Sequence, residues 1–472
     1  MTDTERTVVG RECRFAMHIK EKYGVSPDLH LVKEQVHYSD GSIEPNLRWI
    51  KEFKRPYYIT APNKRFHKQK NEWTSLDNVI IKECTQSQLR DRVAQGLDMR
   101  WSKDHLKKLA RSPYLYGTDI SSTALIKKQY MDKYPGLNTL FGVATYDIET
   151  DVVNGTREAI MATVIFKDKI YICVQQSFVK GFANLETLVD IAAKKYIGKY
   201  LDANKMTIEL YVADGVVDLI GKSFAKVHEW KPDFLAIWNM DFDIPEILRM
   251  LEEKGEDPRD YLCDPSVPKD LRVCKYKQGP KNKTTASGKF IPINPAAQWH
   301  TLEVTASYYV IDAMCAYKHI RLGEQEEVSY SLNYILNKKL GIRKLSFEQA
   351  DQYSGLQWHE FMQMNFKIEY MIYNIFDCLS MIELDKMTKD LCSTVPTFSA
   401  TSDFVSFKSQ PKRIVDALHY FALSKGYVMG TVGSADEEPV IEEVTDEDGV
   451  IEETQAEAVR EEKTLGLDDW IN

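Results

Sequence analysis

The chain has 472 residues, of which 43% are hydrophobic and 28% charged, and a formal net charge of −9. That length exceeds one ordinary core and implies two or three domains, with the composition of a globular protein rather than a disordered or fibrous one. No run approaches the roughly 18 apolar residues of a membrane span. The opening MTDTERTVVGREC lacks a secretory pattern, and the eight cysteines form no Cys-x-x-Cys pair, so a cytoplasmic protein with reduced thiols is expected.

Residues 1–140 mix strands, turns and basic segments. Arg48 to Ile59 reads as one basic, aromatic strand entering a turn, and Lys64, Arg65, His67, Lys68 and Lys70 follow at once. Aromatics among cations suit stacking on bases and pairing with phosphates; a solvated basic loop is the equal alternative. Residues 141–175 predict a β-meander, with β-rich runs at 141–149, 159–166 and 170–174 separated by polar turns. Helical periodicity spans Leu185 to Leu201, then Met206 to Ala213 is a strand and Val216 to Trp230 a helix. An apolar strand, Phe234 to Asn239, leads to a helix over Ile244 to Glu253. Segment 275–290, with five lysines among Gly, Pro, Ser and Thr, predicts an exposed loop or hairpin tip. It is no P-loop, because eight residues separate Gly279 from Gly288-Lys289 and Phe290 stands where Ser or Thr is required. Helices are expected over 328–340, 359–391 and 410–428. Strands first, then alternation of helix and strand, imply an α/β (α+β) chain with a mixed sheet flanked by helices, plus a mixed N-terminal domain.

Charge is uneven. Residues 436–472 hold 15 Asp/Glu against Arg460 and Lys463, a net of −13, so the other 435 residues are at +4. A mildly basic body can meet phosphates, and an acidic tail repels them. The tail has too few apolar residues for a core and is expected to be disordered. Its Leu465, Leu467, Trp470 and Ile471 suggest docking on a partner.

Three acidic motifs carry the chemistry. In a strand, Asp147 and Glu149 share one face while Ile148 takes the other. Carboxylates interrupting an apolar strand are costly unless they are used. Asn239-Met240-Asp241-Phe242-Asp243 lies where a strand end meets a helix, a usual place for functional groups, although Asp241 or Asp243 capping the helix is an alternative. Tyr373 and Asp377 lie four apart in a helical, otherwise apolar segment and stack on one face. An Asp–Tyr hydrogen bond within a core is the alternative there.

In this order the motifs resemble those of the 3′–5′ exonuclease domain of family B DNA polymerases. Asp-x-Glu corresponds to Asp147 and Glu149, Asn-x₂₋₃-Phe/Tyr-Asp to Asn239, Phe242 and Asp243, and Tyr-x₃-Asp to Tyr373 and Asp377. Segments 309–314 and 329–335 add similarity, and residues 112–150 are similar to tailed-phage members. The resemblance covers roughly residues 50–435. It implies a ribonuclease H-like exonuclease domain over 141–395, an N-terminal polymerase domain over 1–140, a helical return segment over 396–435 and the tail beyond.

It also implies stepwise removal of the 3′ nucleotide from DNA by two Mg²⁺ ions, with Mn²⁺ as an alternative, held roughly 3.5–4 Å apart. Asp147 is then the bridging ligand, Glu149 and Asp377 complete the nucleophile-side ion and Asp243 supports the second. Tyr373 would contact the attacking water or phosphate. Asn239, Phe242, Lys281 and Lys283 are expected on the substrate side. The palm motifs Asp-x-x-Ser-Leu-Tyr-Pro and Asp-Thr-Asp are absent. The expected partners are therefore a single-stranded 3′ end or primer-template and a complementary chain with palm, fingers and thumb, the protein being a split or truncated phage polymerase in the host cytoplasm. A DNA- and polymerase-binding module with little nuclease activity is the alternative, and a free-standing repair exonuclease a third.

Overall fold

A computed structural model describes residues 6–22, 26–99, 106–285, 287–395 and 410–430. Its strands are β1 (Val8–Ile19), β2 (Leu29–Tyr38), β3 (Ile43–Lys51), β4 (Arg55–Thr60), β5 (Trp73–Ser75), β6 (Val79–Cys84), β7 (Leu115–Tyr116), β8 (Val143–Thr150) and β9 (Ala159–Phe166). There follow β10 (Lys169–Gln175), β11 (Thr207–Ala213), β12 (Phe234–Ile237), β13 (Cys274–Lys277), β14 (Asn282–Thr284), β15 (Phe290–Pro292), β16 (Thr301–Val304), β17 (Tyr309–Asp312) and β18 (Tyr427–Met429). The fold is mixed α/β. An eight-stranded mixed sheet, ordered β11-β10-β9-β8-β12-β17-β16-β13, forms the centre. β8, β9 and β10 are the antiparallel meander expected from the sequence, while β12 lies parallel to both β8 and β17.

The central strands are apolar because both sheet faces are covered. Ala144, Tyr146 and Ile148 pack with the helices Val216–Trp230 and Met240–Glu253. The opposite face, with Met161, Ile165 and Ile172, packs with the helices Leu185–Asn204 and Lys367–Thr388. Alternation along β8 therefore aims Asp147 and Glu149 toward Lys367–Thr388.

The N-terminal residues build smaller sheets, β1-β2-β3 and β6-β4-β7, and β18 pairs with β5. Arg48 to Ile59 is two strands rather than one, since Glu52 at φ 48 turns the chain between β3 and β4. Segment 275–290 is only partly a hairpin. Cys274–Lys277 is an edge strand of the central sheet, paired to β16, and the exposed hairpin is β14–β15. Gly279 joins the two: a Cβ there would lie 1.7 Å from the Gln298 carbonyl oxygen, so only glycine allows this approach.

The helix expected from Ile244 starts at Met240, and the one expected over 328–340 spans Leu332–Leu340. The single helix expected over 359–391 is two, Gly355–Asn365 and Lys367–Thr388, because Phe366 leaves helical geometry at φ −134, ψ 53. A helix spans Gln410–Ser424, ahead of β18. The acidic tail lies outside the described residues. Among those residues, no helix is long and apolar enough to cross a membrane.

Candidate metal centre

Three of the four singled-out carboxylates converge at the C-terminal half of β8. Ligand oxygens of Asp147, Glu149 and Asp377 all lie within 4.8 Å of one another. Asp243 is not one of that trio. It sits beside it, its Oδ1 accepting from the Ile148 backbone N–H at 3.2 Å, between the two strand carboxylates. Of the two aspartates in that motif, Asp243 is the buried one turned to β8. Asp241 belongs to another network, accepting from the Tyr276 hydroxyl at 2.8 Å and from Gln278 Nε2 at 2.6 Å, with Lys281 Nζ at 3.6 Å.

Asp147 and Glu149 are positioned by neighbours on the facing helices, and Asp377 by Lys344 on the loop after the helix Leu332–Leu340. Asn374 Nδ2 donates to Asp147 Oδ2 at 2.7 Å, and the Tyr370 hydroxyl donates to Glu149 Oε2 at 2.5 Å. His359 Nδ1 lies 2.8 Å from the Tyr370 hydroxyl and 3.6 Å from Glu149 Oε2. Lys344 Nζ donates to Asp377 Oδ2 at 2.5 Å and to the Tyr373 hydroxyl at 3.1 Å. Asp377 Oδ1 is buried and has no hydrogen-bond partner. Sequence reasoning missed Lys344, Asn374, Tyr370 and His359. Asn374 and Tyr370 were within reach, because positions 370, 373, 374 and 377 share one helical face.

The electrostatics are those of acids pressed together. Burial, then the negative charge of Asp243, Asp377 and Glu149, raises the Asp147 carboxyl well above its usual range. Burial pushes Asp243 up to about 8, against the Ile148 N–H. Asp377 is raised by burial against the pull of Lys344. Such a site favours whatever brings positive charge, whether protons or cations. Its donors are all oxygens, which suits Mg²⁺ or Mn²⁺ rather than zinc.

The expected substrate-side residues are spread out. Asn239 caps the helix Met240–Glu253 in the left-handed region at φ 69, a conformation asparagine tolerates, and its side chain makes no cap hydrogen bond. Phe242 is 45% exposed on the same first turn. Lys283 is exposed on β14 and Lys281 lies just before that strand. In the basic cluster near residue 64, Arg65 and Lys70 donate to the backbone carbonyls of Thr60 and Ala110, and His67 Nε2 lies 3.2 Å from that of Pro113. Lys64 and Lys68 remain exposed. No protein-family model and no curated protein matches this chain.

Proposed function

We propose that this chain is a metal-dependent 3′–5′ exonuclease acting on DNA, the proofreading part of a family B DNA polymerase. One observation carries the reading: the oxygens of Asp147, Glu149 and Asp377 fall within 4.8 Å of one another, with Asp243 on the adjoining backbone. Crowded acids cost a fold free energy unless protons, Lys344 or a metal ion compensate them, and the all-oxygen donor set suits a divalent ion in that place. A ribonuclease H-like core belongs to the same reading. It is supported by the run β10-β9-β8-β12-β17, an antiparallel meander extended by two parallel strands.

Asp147, Glu149 and Asp377 would hold one Mg²⁺, and Asp243 with Asp147 would support a second. The unpartnered Asp377 Oδ1 fits such a role. When bound, the ions lower the pKa of a water and stabilise the leaving 3′-oxygen. The chain's own residues set the geometry. Asn374 orients Asp147, while Tyr370 and His359 orient Glu149. Lys344 balances Asp377 and positions the Tyr373 hydroxyl toward the same acid cluster, where it can hydrogen-bond the attacking water or the scissile phosphate. The palm motifs are absent from these 472 residues, so polymerisation would draw them from the rest of a longer chain or from a complementary one.

The second reading, a DNA- and polymerase-binding module, draws on one feature. The Lys344–Asp377 pair neutralises part of the site without any metal. Single-stranded DNA labelled at its 5′ end separates the two. The exonuclease reading predicts a ladder shortening from the 3′ end in Mg²⁺ and none in EDTA. Tight binding without shortening in Mg²⁺ would support the module instead.

A further inference from the structure

A second cluster of metal-ligating side chains lies in the N-terminal sheet and is independent of the exonuclease reading. His18 on β1 and His30 on β2 are direct cross-strand partners, with ring centroids 4.9 Å apart. Asp28 immediately precedes β2. Ligand atoms of the three residues lie within 4.8 Å of one another. Asp28 and His30 are 1% and 0% exposed.

The hydrogen bonding around them is incomplete in one direction only. Asp28 Oδ2 accepts from the Ser87 backbone N–H at 2.8 Å and lies 2.9 Å from His18 Nε2. His30 Nε2 is 2.8 Å from Ser122 Oγ. That leaves Asp28 Oδ1 and His30 Nδ1, both buried, without a hydrogen-bond partner. They are 3.9 Å apart, too far for a hydrogen bond in either tautomer. Buried polar atoms left this way cost free energy that a shared cation would recover.

We propose that His18, Asp28 and His30 form a zinc site on the β1–β2 hairpin. Two imidazoles and one carboxylate are a zinc donor set, and water completes it at the open fourth position. A tetrahedral ion with bonds of about 2.1 Å sets its ligand atoms about 3.4 Å apart, so loading draws atoms now within 4.8 Å of one another closer by up to about 1.4 Å. The supporting shell is in place: Ser122 fixes the His30 ring and Ser87 fixes the Asp28 carboxylate. Arg55 supplies the opposing charge, but its guanidinium donates to Gln86 Oε1 and to the Gly117 carbonyl. The His18 side chain is 23% exposed, which gives an ion an entry path. Hydrogen bonds from Glu52 and Ser87 to Asp28 and between His30 and Ser122 place the site where the β1–β2 hairpin meets the turn after β3, the segment after β6 and the helix Ser122–Lys133.

The test uses the full chain, stripped with EDTA, loaded with Zn²⁺ and dialysed against zinc-free buffer containing Mg²⁺. Elemental analysis should find one zinc per chain in the wild type and in Asp147→Ala/Glu149→Ala, whose carboxylate site is destroyed. His18→Gln should hold zinc at least tenfold more weakly. X-ray absorption at the zinc edge of the loaded wild type should show two imidazole ligands, a readout that needs no variant to fold. The proposal is overturned if the dialysed wild type holds no zinc, if the double variant loses it, or if the edge shows oxygen ligands alone.

Discussion

Asp243 shows how a single side chain could serve both the proposed catalysis and the fold. Its Oδ1 accepts the Ile148 N–H, a bond that asparagine can also accept, while its charge adds to the repulsion around Asp147. Asp243→Asn should therefore melt at a higher temperature than the wild type in EDTA and lose most of its Mg²⁺-dependent nuclease rate; a lower melting temperature would make Asp243 a structural cap. Lys344 is the reverse case. Removing its ammonium by Lys344→Met leaves Asp377 buried without its countercharge, at about 1–3 kcal/mol. Denaturant unfolding in EDTA should show that loss, and saturating Mg²⁺ should reduce it. The acids were legible in the sequence because a carboxylate in an apolar run is conspicuous. Lys344 and His359 were not, since each meets its partner only after folding, Glu149 being far away in the chain from both His359 and Tyr370.

Elements were legible where local periodicity decides them. The helix Val216–Trp230 was placed to the residue because its apolar stripe is regular and the chain leaves it through Lys231 in the left-handed region. β13 was missed because Lys275 and Lys277 look like loop residues. They are exposed in alternation with half-buried Cys274 and Tyr276, as charged residues are on an edge strand that must not recruit another chain. Only Lys281, Lys283 and Lys289 remain with the hairpin β14–β15, and Lys281 already faces Asp241. Lys283 and Lys289, with Phe290 68% exposed beside them, are the residues free to meet a strand of DNA. For Lys283→Ala/Lys289→Ala, the slope of log affinity against log salt on single-stranded DNA should shrink by about 1.4, from about 0.7 per phosphate contact. An unchanged slope removes the hairpin from the interface.

At the scale of the molecule, two buried cations of the N-terminal sheet, Arg14 and Lys33, reach Asp233 just before β12 of the central sheet. Lys33 on β2, fully buried, donates to the carbonyls of Lys231, Pro232 and Ser307 at 2.8, 3.1 and 2.6 Å and lies 3.7 Å from Asp233 Oδ1. Those residues precede β12, which pairs with β8, and β17, which pairs with β12. Nothing in the local sequence marks Lys33, because its partners are remote in the chain. Lys33→Met leaves three carbonyls and part of Asp233 unsatisfied and should destabilise the protein by about 3–5 kcal/mol. Burial brings Lys33 down to about 8, below the 10.5 of an unfolded lysine. The unfolded chain therefore binds more protons between those values, and the lysine's contribution to stability grows as pH rises through that window and is lost as pH falls through about 8. The gap between wild type and Lys33→Met in denaturant titrations should widen from pH 8 to about 10.5. A gap that narrows would show that the fold holds the Lys33 proton more tightly than the unfolded chain does, with its pKa raised rather than lowered.

The central claim is that the convergent carboxylates hydrolyse DNA from its 3′ end. Wild type and Asp147→Ala/Glu149→Ala, both shown by circular dichroism to be folded, are compared for single-turnover release of a 3′-terminal nucleotide from single-stranded DNA in Mg²⁺. The account predicts release by the wild type and a rate at least about 10³-fold lower in the variant, since the loss of metal-held water removes several kcal/mol of transition-state stabilisation. A folded variant that releases nucleotide at the wild-type rate, or a wild type that releases none, would contradict it.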